Sequence, residues 1–233
     1  MKKSFLLACM TLLPALAALP DEETPQTAED VLAFVQSRLP RKALRLSGTI
    51  RVKAKNGYVK APIPATMEWR RDAVPPTATY RVGNEKSGVV SLTVTWLDGD
   101  PQYRFSDPDL KPDAPIFDTG LRWSDLSLGF LWWPDPVLVG HEKKLNRACF
   151  VLEIPDPRRA DRRRRLWIDR KTGMVLETRT LDAERRTLRR LKIKSIKKID
   201  GLWVAKDLEL IDQTTGIRTL LRIADVERPS PRS

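Results

Sequence analysis

A single histidine and two cysteines among 233 residues close off several kinds of chemistry. The histidine, His141, precedes Glu142, Lys143 and Lys144, a context expected of an exposed charged turn. No zinc spacing, phosphate-cradling glycine loop or Gly-x-Ser-x-Gly nucleophile turn is present. Asp98-Gly-Asp100 and Asp107-Pro-Asp109 are acidic pairs, but short runs of Asp, Gly and Pro usually build turns. A hydrolase needs a positioned base or paired carboxylates. The chain therefore reads as a binding protein and not an enzyme, with no cofactor and no metal. Of the two cysteines, Cys9 lies in an N-terminal segment expected to be removed. Cys149 is then the only thiol, which excludes an intramolecular disulfide. Between Ala148 and Phe150-Val-Leu it reads as a small core residue on a strand.

Long apolar runs are also missing, apart from the first residues. Lys2 and Lys3 precede Phe5-Leu-Leu-Ala-Cys-Met-Thr-Leu-Leu, then Pro14 and Ala15-Leu-Ala17. A short basic region, a short apolar core and small residues at a cleavage site make a secretory signal peptide over residues 1–18. The core is too short for a membrane span. The mature chain is thus expected in the periplasm. A second reading takes Leu6-Leu-Ala-Cys9 as a lipobox with Cys9 lipidated, but only eight residues precede Cys9 and leave almost no apolar core.

What the sequence does have is positive charge. The net charge is +12, or +10 once Lys2 and Lys3 are removed. A basic exported protein suits anionic membrane surfaces, anionic polysaccharide or acidic partners, and the signal peptide argues against nucleic acid. The densest run is Arg162, Arg163, Arg164 and Arg165, a candidate anionic-surface patch. Much of the basic sequence alternates with apolar residues, and the ordinary reading of such a pattern is a solvated sheet face.

The chain after the signal, about 215 residues, suits one domain with a sizeable core. Residues 27–40 read as a helix: Thr27 is a cap with Asp30 three residues on, Val31, Leu32, Phe34, Val35 and Leu39 form a stripe, and Pro40 ends it. Residues 19–43 form a leader and this helix. From Leu44 the period becomes two, which predicts a half-buried strand. Asn56-Gly57, Asp98-Gly99 and Asp200-Gly201 punctuate a series of strands running to Val226. The count comes to ten or eleven strands over residues 44–227, followed by a disordered tail, 228–233. A sheet of that length must curl or close. The expected fold is mainly β (α+β), an unclosed antiparallel half-barrel with an N-terminal helix and an inserted helical lid or plug.

The insertion is the aromatic block. Trp123, Phe130, Trp132 and Trp133 fall within eleven residues, with Leu131 between them. Ser124 is the expected N-cap of a short helix through Phe130, with Asp125 at its positive end. With Trp69 and Trp96, these residues are either ordinary core or the lining of a cavity or lid. On a regular helix or strand Trp132 and Trp133 cannot both point one way, so one is expected inside and the other exposed.

Several motifs carry a resemblance. They are Trp123-Ser-Asp-Leu126, Leu138-Val-Gly140 leading to Cys149-Phe-Val-Leu-Glu153, Leu166-Trp-Ile-Asp169 with Thr172-Gly173, and Ile199-Asp-Gly-Leu-Trp-Val204. Together with the order of elements, the chain resembles the LolA-like superfamily, more closely its outer membrane lipoprotein-sorting branch. The resemblance implies a periplasmic carrier or chaperone that holds lipid acyl chains or lipoproteins in an apolar cavity, as a monomer, for transfer to the outer membrane. It also implies an alternative, an envelope sensor or protein-interaction module of the same fold. The high positive charge and the gathering of aromatics in one block depart from the classical lipoprotein carrier.

Overall fold

The computed structural model describes residues 25–40, 42–53, 61–86, 88–199 and 202–229. The expected signal segment with Cys9, the turns expected at Asn56-Gly57 and Asp200-Gly201, and residues 230–233 lie outside these.

Helix α1 (Ala28–Ser37) begins at a full capping box. The Asp30 amide donates to Thr27 Oγ1 at 3.1 Å, and the Thr27 amide donates to Asp30 Oδ2 at 3.0 Å. Two amides that the first turn leaves without partners are thereby satisfied. The helix buries Ala28, Val31, Leu32 and Val35.

Twelve strands follow among the described residues, where ten or eleven were expected. They are β1 (Leu44–Lys53), β2 (Ile63–Arg70), β3 (Thr77–Asn84), β4 (Gly88–Leu97) and β5 (Asp100–Phe105), then β6 (Val137–Lys144), β7 (Arg147–Asp156), β8 (Arg159–Asp169), β9 (Val175–Leu181), β10 (Thr187–Ile199), β11 (Leu202–Asp212) and β12 (Arg218–Glu227). All join one antiparallel sheet in the order β5-β4-β3-β2-β1-β12-β11-β10-β9-β8-β7-β6, and the sheet does not close. Two meanders are thus stitched at a central seam where the first strand pairs with the last. Both free edges, β5 and β6, are consecutive in sequence. The connection between them, residues 106–136, must therefore cross from one edge of the sheet to the other.

Two strands run further than the sequence implied. β6 continues through Lys144, and the turn is made by Leu145 and Asn146, at φ 50° and 59°. His141 is therefore an exposed strand residue, 5.6 Å from the Phe150 ring, and not a turn residue. β8 starts at Arg159, so the whole arginine run is strand. Arg163, Arg164 and Arg165 pair with β7 on one side and β9 on the other.

The apolar residues fall into three clusters. One joins β1–β5 to β10–β12 and includes Ile116, Leu121 and Trp123 from the crossing connection. A second joins α1 to Phe130, Leu131 and Trp133 and to Phe150, Leu152, Ile154, Leu166 and Ile168 of β7 and β8. The crossing connection thus packs against both ends of the sheet, which can only be so if the sheet curls around it. The third, smaller cluster holds Cys149, fully buried, with Val151 and Trp167. By strand alternation Cys149 and Val151 face away from Phe150 and Leu152.

Candidate functional site

Residues 106–136 form a plug in the concave face. It opens with a small hairpin in which the Ile116 amide donates to the Leu121 carbonyl at 2.8 Å. Helix α2 (Trp123–Ser127) follows, then a 3-10 turn (Gly129–Trp132), joined by Leu128 at φ 53°. Arg122, not Ser124, is the N-cap. The Asp125 carboxylate accepts from the Arg122 amide at 3.0 Å, while Ser124 is turned away and donates to Asp113 Oδ1 at 3.0 Å.

The expected cavity or lid residues come together here, as packed interior. Trp69, Trp96, Trp123, Phe130, Leu131 and Trp133 are all buried. Trp132 is half-buried and bridges the two main clusters. Neither Trp132 nor Trp133 is left outside, contrary to the alternation argument. Trp133 lies just past the 3-10 turn in extended backbone (φ −76°, ψ 145°), so the periodicity of a single regular element does not apply to the pair.

The two sides of the plug are held differently. Toward β8, β10 and β12 the fastening is polar. Arg164 Nη1 donates to Asp125 Oδ1 at 3.0 Å, and Arg189 Nη2 donates to Asp125 Oδ2 at 2.7 Å and to the Gly120 carbonyl. Asp212 lies 3.6 Å from Arg189 Nε, so two guanidinium groups meet two carboxylates. The Thr219 hydroxyl donates to the Thr119 carbonyl. From α1, Gln36 Nε2 donates to the Leu131 carbonyl at 2.9 Å. Burial alone would push the Asp125 carboxyl up, but Arg189 and Arg164 outweigh it and hold it at about 2. Toward β2–β5 the plug meets the sheet through rings. Trp132 lies 5.4 Å from Trp96, which lies 5.7 Å from Trp69, and Trp123 meets Phe105 edge-on at 5.8 Å.

The magnitudes separate these sides. Breaking a buried ion pair costs about 3–5 kcal/mol, because a charge is left without a partner. A ring pair contributes roughly 1 kcal/mol beyond its buried area. Toward β8–β12 the plug is therefore fastened by paired charges, and toward β2–β5 by ring contacts together with the apolar area they bury.

The expected anionic patch does not survive as one surface. Arg164 is 4% exposed and points inward because Leu166 and Ile168, on the same face of β8, line the core. Arg165 sits on the other face and donates to Glu153 Oε1 at 2.8 Å. Arg162 and Arg163 are half-buried, with Asp161 3.9 Å from Arg162 Nε. Exposed cations instead gather on the β10–β11 hairpin: Lys194, Lys197, Lys198 and Lys206. Among them Trp203 is 37% exposed, with Lys198 Nζ 5.8 Å and Arg147 Cζ 5.4 Å from its ring. The groove of about 480 Å³ over β1–β3, lined by Arg45, Glu68, Arg70 and Arg81, is polar and unsuited to an acyl chain. Among the described residues no group of three His, Cys, Asp or Glu side chains gathers as a metal site. No described helix is long and apolar enough to cross a membrane.

A family model whose description reads "Uncharacterized protein" matches residues 111–231, just over half of the chain. Among solved structures, a DUF1329 family protein from Desulfovibrio piger matches with a TM-score of 0.69 at 14% identity, over 88% of this chain and 93% of that one. A LolA superfamily protein from Nitrosomonas europaea matches at 0.65 and 13%, over 89% and 96%. An outer membrane lipoprotein-sorting protein domain from Vibrio parahaemolyticus matches at 0.67 and 14%, over 88% and 95%. The chain belongs to the family whose model matches residues 111–231, and it has the LolA-like fold. No curated protein matches it. The LolA-like sheet explains why the conspicuous motif at Trp123 to Leu126 lies where it does. It is the start of the plug, and its Asp125 is the group that fastens the plug to the far half of the sheet. Sequence reasoning placed Asp125 at a helix start and missed its partners, Arg164 and Arg189, which are distant in the chain.

Proposed function

We propose that this LolA-like half-barrel is a periplasmic carrier or chaperone, not an enzyme, that accepts the acyl chains of a lipid or lipoprotein between its sheet and its plug and delivers them to the outer membrane. The observation that supports this best is the asymmetric plug, bolted by ions on one side and resting on rings on the other. Each methylene taken out of water is worth about 0.8 kcal/mol. An acyl chain of ordinary length therefore offers on the order of 10 kcal/mol of apolar burial to offset the contacts that hold the plug to β2–β5. The rings need not meet water either, since the entering chain replaces one apolar neighbour with another. The exposed Trp203 among lysines suits the interface of an anionic membrane, where an amphipathic ring and cations both find partners.

Native mass spectrometry of gently purified protein, with tryptophan fluorescence titration by a lipopeptide, tests the carrier. A stoichiometric acyl ligand and a saturable fluorescence change are expected. Protein that is ligand-free and spectrally indifferent to both fatty acid and lipopeptide would overturn it. Sedimentation with vesicles tests the membrane contact. Binding is expected to need anionic lipid, to weaken as salt rises and to fall on Trp203→Ala. Salt-independent binding would remove that contact from the scheme.

A further inference from the structure

Eight buried side-chain polar atoms have no hydrogen-bond partner among the described residues; four are the Nε groups of Arg162, Arg164, Arg189 and Arg190, side chains that lie within ion-pair distance of carboxylates, and the other four belong to side chains at the ring-held side of the plug. These last four are the Tyr80 hydroxyl, the indole N–H groups of Trp96 and Trp123, and the Ser127 hydroxyl. The four residues are 1%, 9%, 1% and 2% exposed. Tyr80 and Trp96 stand on β3 and β4, and Trp123 and Ser127 on α2. Phe105 links Trp123 to Tyr80, since it meets Trp123 edge-on and pairs across the sheet with Leu92, which pairs with Tyr80; Trp96 stands four residues further along β4, against Trp132 of the plug. Tyr103, two residues before Phe105, completes the group. A Cβ placed on Gly129 would lie 2.6 Å from the Tyr103 hydroxyl and 3.4 Å from Ser127 Oγ, so both hydroxyls close on the same bare backbone.

A buried donor with no acceptor is expensive, and native interiors rarely keep one, let alone four on one side of a plug. An indole N–H can only donate. Burial pushes the Tyr80 phenol well above its ordinary range, with Tyr103 adding to it, so this hydroxyl stays a donor across physiological pH. The group therefore calls for acceptor oxygen. It does not call for a formal negative charge, because the buried cations Arg164 and Arg189 are already engaged by Asp125.

We propose that Tyr80, Trp96, Trp123 and Ser127 form a polar subsite for the carbonyl oxygens of the ester or amide linkages that join an acyl chain to its headgroup. The chain itself would continue along the apolar face beneath the plug. The subsite rests on the carrier reading and makes it specific: the ligand is an acylated molecule held at its linkage, and a bare hydrocarbon or a fatty acid carboxylate fits less well.

The test compares a monoacylglycerol with the glycerol alkyl ether of the same chain length, which lacks the carbonyl. Both are titrated into the full protein, its Tyr80→Phe variant and its Ser127→Ala variant, with tryptophan fluorescence as readout. The unaltered protein should bind the ester about tenfold more tightly than the ether, and each substitution should narrow that preference severalfold. Tyr80→Phe should meanwhile raise the Tm of the ligand-free protein, since it removes a hydroxyl that has no partner there. Equal affinity for ester and ether, an unchanged preference in both variants, or a lowered Tm in Tyr80→Phe would each overturn the subsite. If both ligands bind equally, the carrier stands and the subsite alone falls. If neither binds, the carrier reading falls and takes the subsite with it.

Discussion

Asp125 carries a negative charge into the core because two guanidinium groups meet it there, and this fixes how the protein should respond to acid. Its carboxyl titrates at about 2 in the folded chain, below its ordinary 3.8. A depressed carboxyl stabilises the fold above the unfolded value and loses that contribution as the pH falls through the folded one. Roughly 2 kcal/mol should therefore disappear between pH 4 and pH 2. Denaturant midpoints measured across that range check it. Asp125→Asn should cost about 3–5 kcal/mol at neutral pH and flatten the acid dependence over that window, because Arg164 and Arg189 are left buried with too little negative charge. A variant as stable as the parent would show that the plug is not held there. Half of this cluster was legible in the sequence. Leu166 and Ile168 follow Arg164 at spacings of two and four, so a strand that buries them buries Arg164 as well. The identity of its partner was not legible, since Asp125 and Arg164 are 39 residues apart and meet only when the sheet curls.

Among the elements, those with a strong local signal formed where the sequence placed them. The capping box at Thr27 and Asp30 starts α1, and Thr27→Ala should lower stability by about 1 kcal/mol, read as a drop in Tm. The alternation from Leu44 to Val52 gives β1. The errors came where one element yields to another. The lysines after His141 look like a turn, yet the strand goes on until Leu145 and Asn146 take left-handed backbone. The helix at Trp123 breaks at Leu128 into a 3-10 turn, and no alternation rule spans that break. Gly48 marks a further feature that pattern alone does not disclose. It sits at the irregularity between β1 and β12, and a Cβ there would run into the Arg222 carbonyl, which is backbone and cannot swing aside. Gly48→Ala should cost about 3 kcal/mol, measured by chemical denaturation. A cost near zero would mean that the seam is looser than its register implies.

For the molecule as a whole, the curled and unclosed sheet was predictable from strand number, but the seam was not. Hydrophobic period identifies strands and says nothing of which pair. The order found here puts both open edges at the ends of the plug segment, so opening the plug changes the accessible surface without breaking any strand pairing. Hydrogen exchange should reveal this. With a bound acyl ligand, amides in residues 119–133 should exchange faster while those of β1–β4 and β10–β12 slow. Uniform slowing, plug included, would mean that the ligand binds without moving the plug.

The seam also sets when this chain can fold. β1 is the first strand and β12 the last, yet they are hydrogen-bonded neighbours at the centre of the sheet. The N-terminal meander cannot gain its second sheet neighbour until nearly the whole polypeptide is available, and contacts so distant in sequence form slowly. The local hairpins can pair as soon as their own strands exist, but the sheet becomes one body only when β12 arrives. The architecture thereby makes the joining of the two meanders the late step of folding.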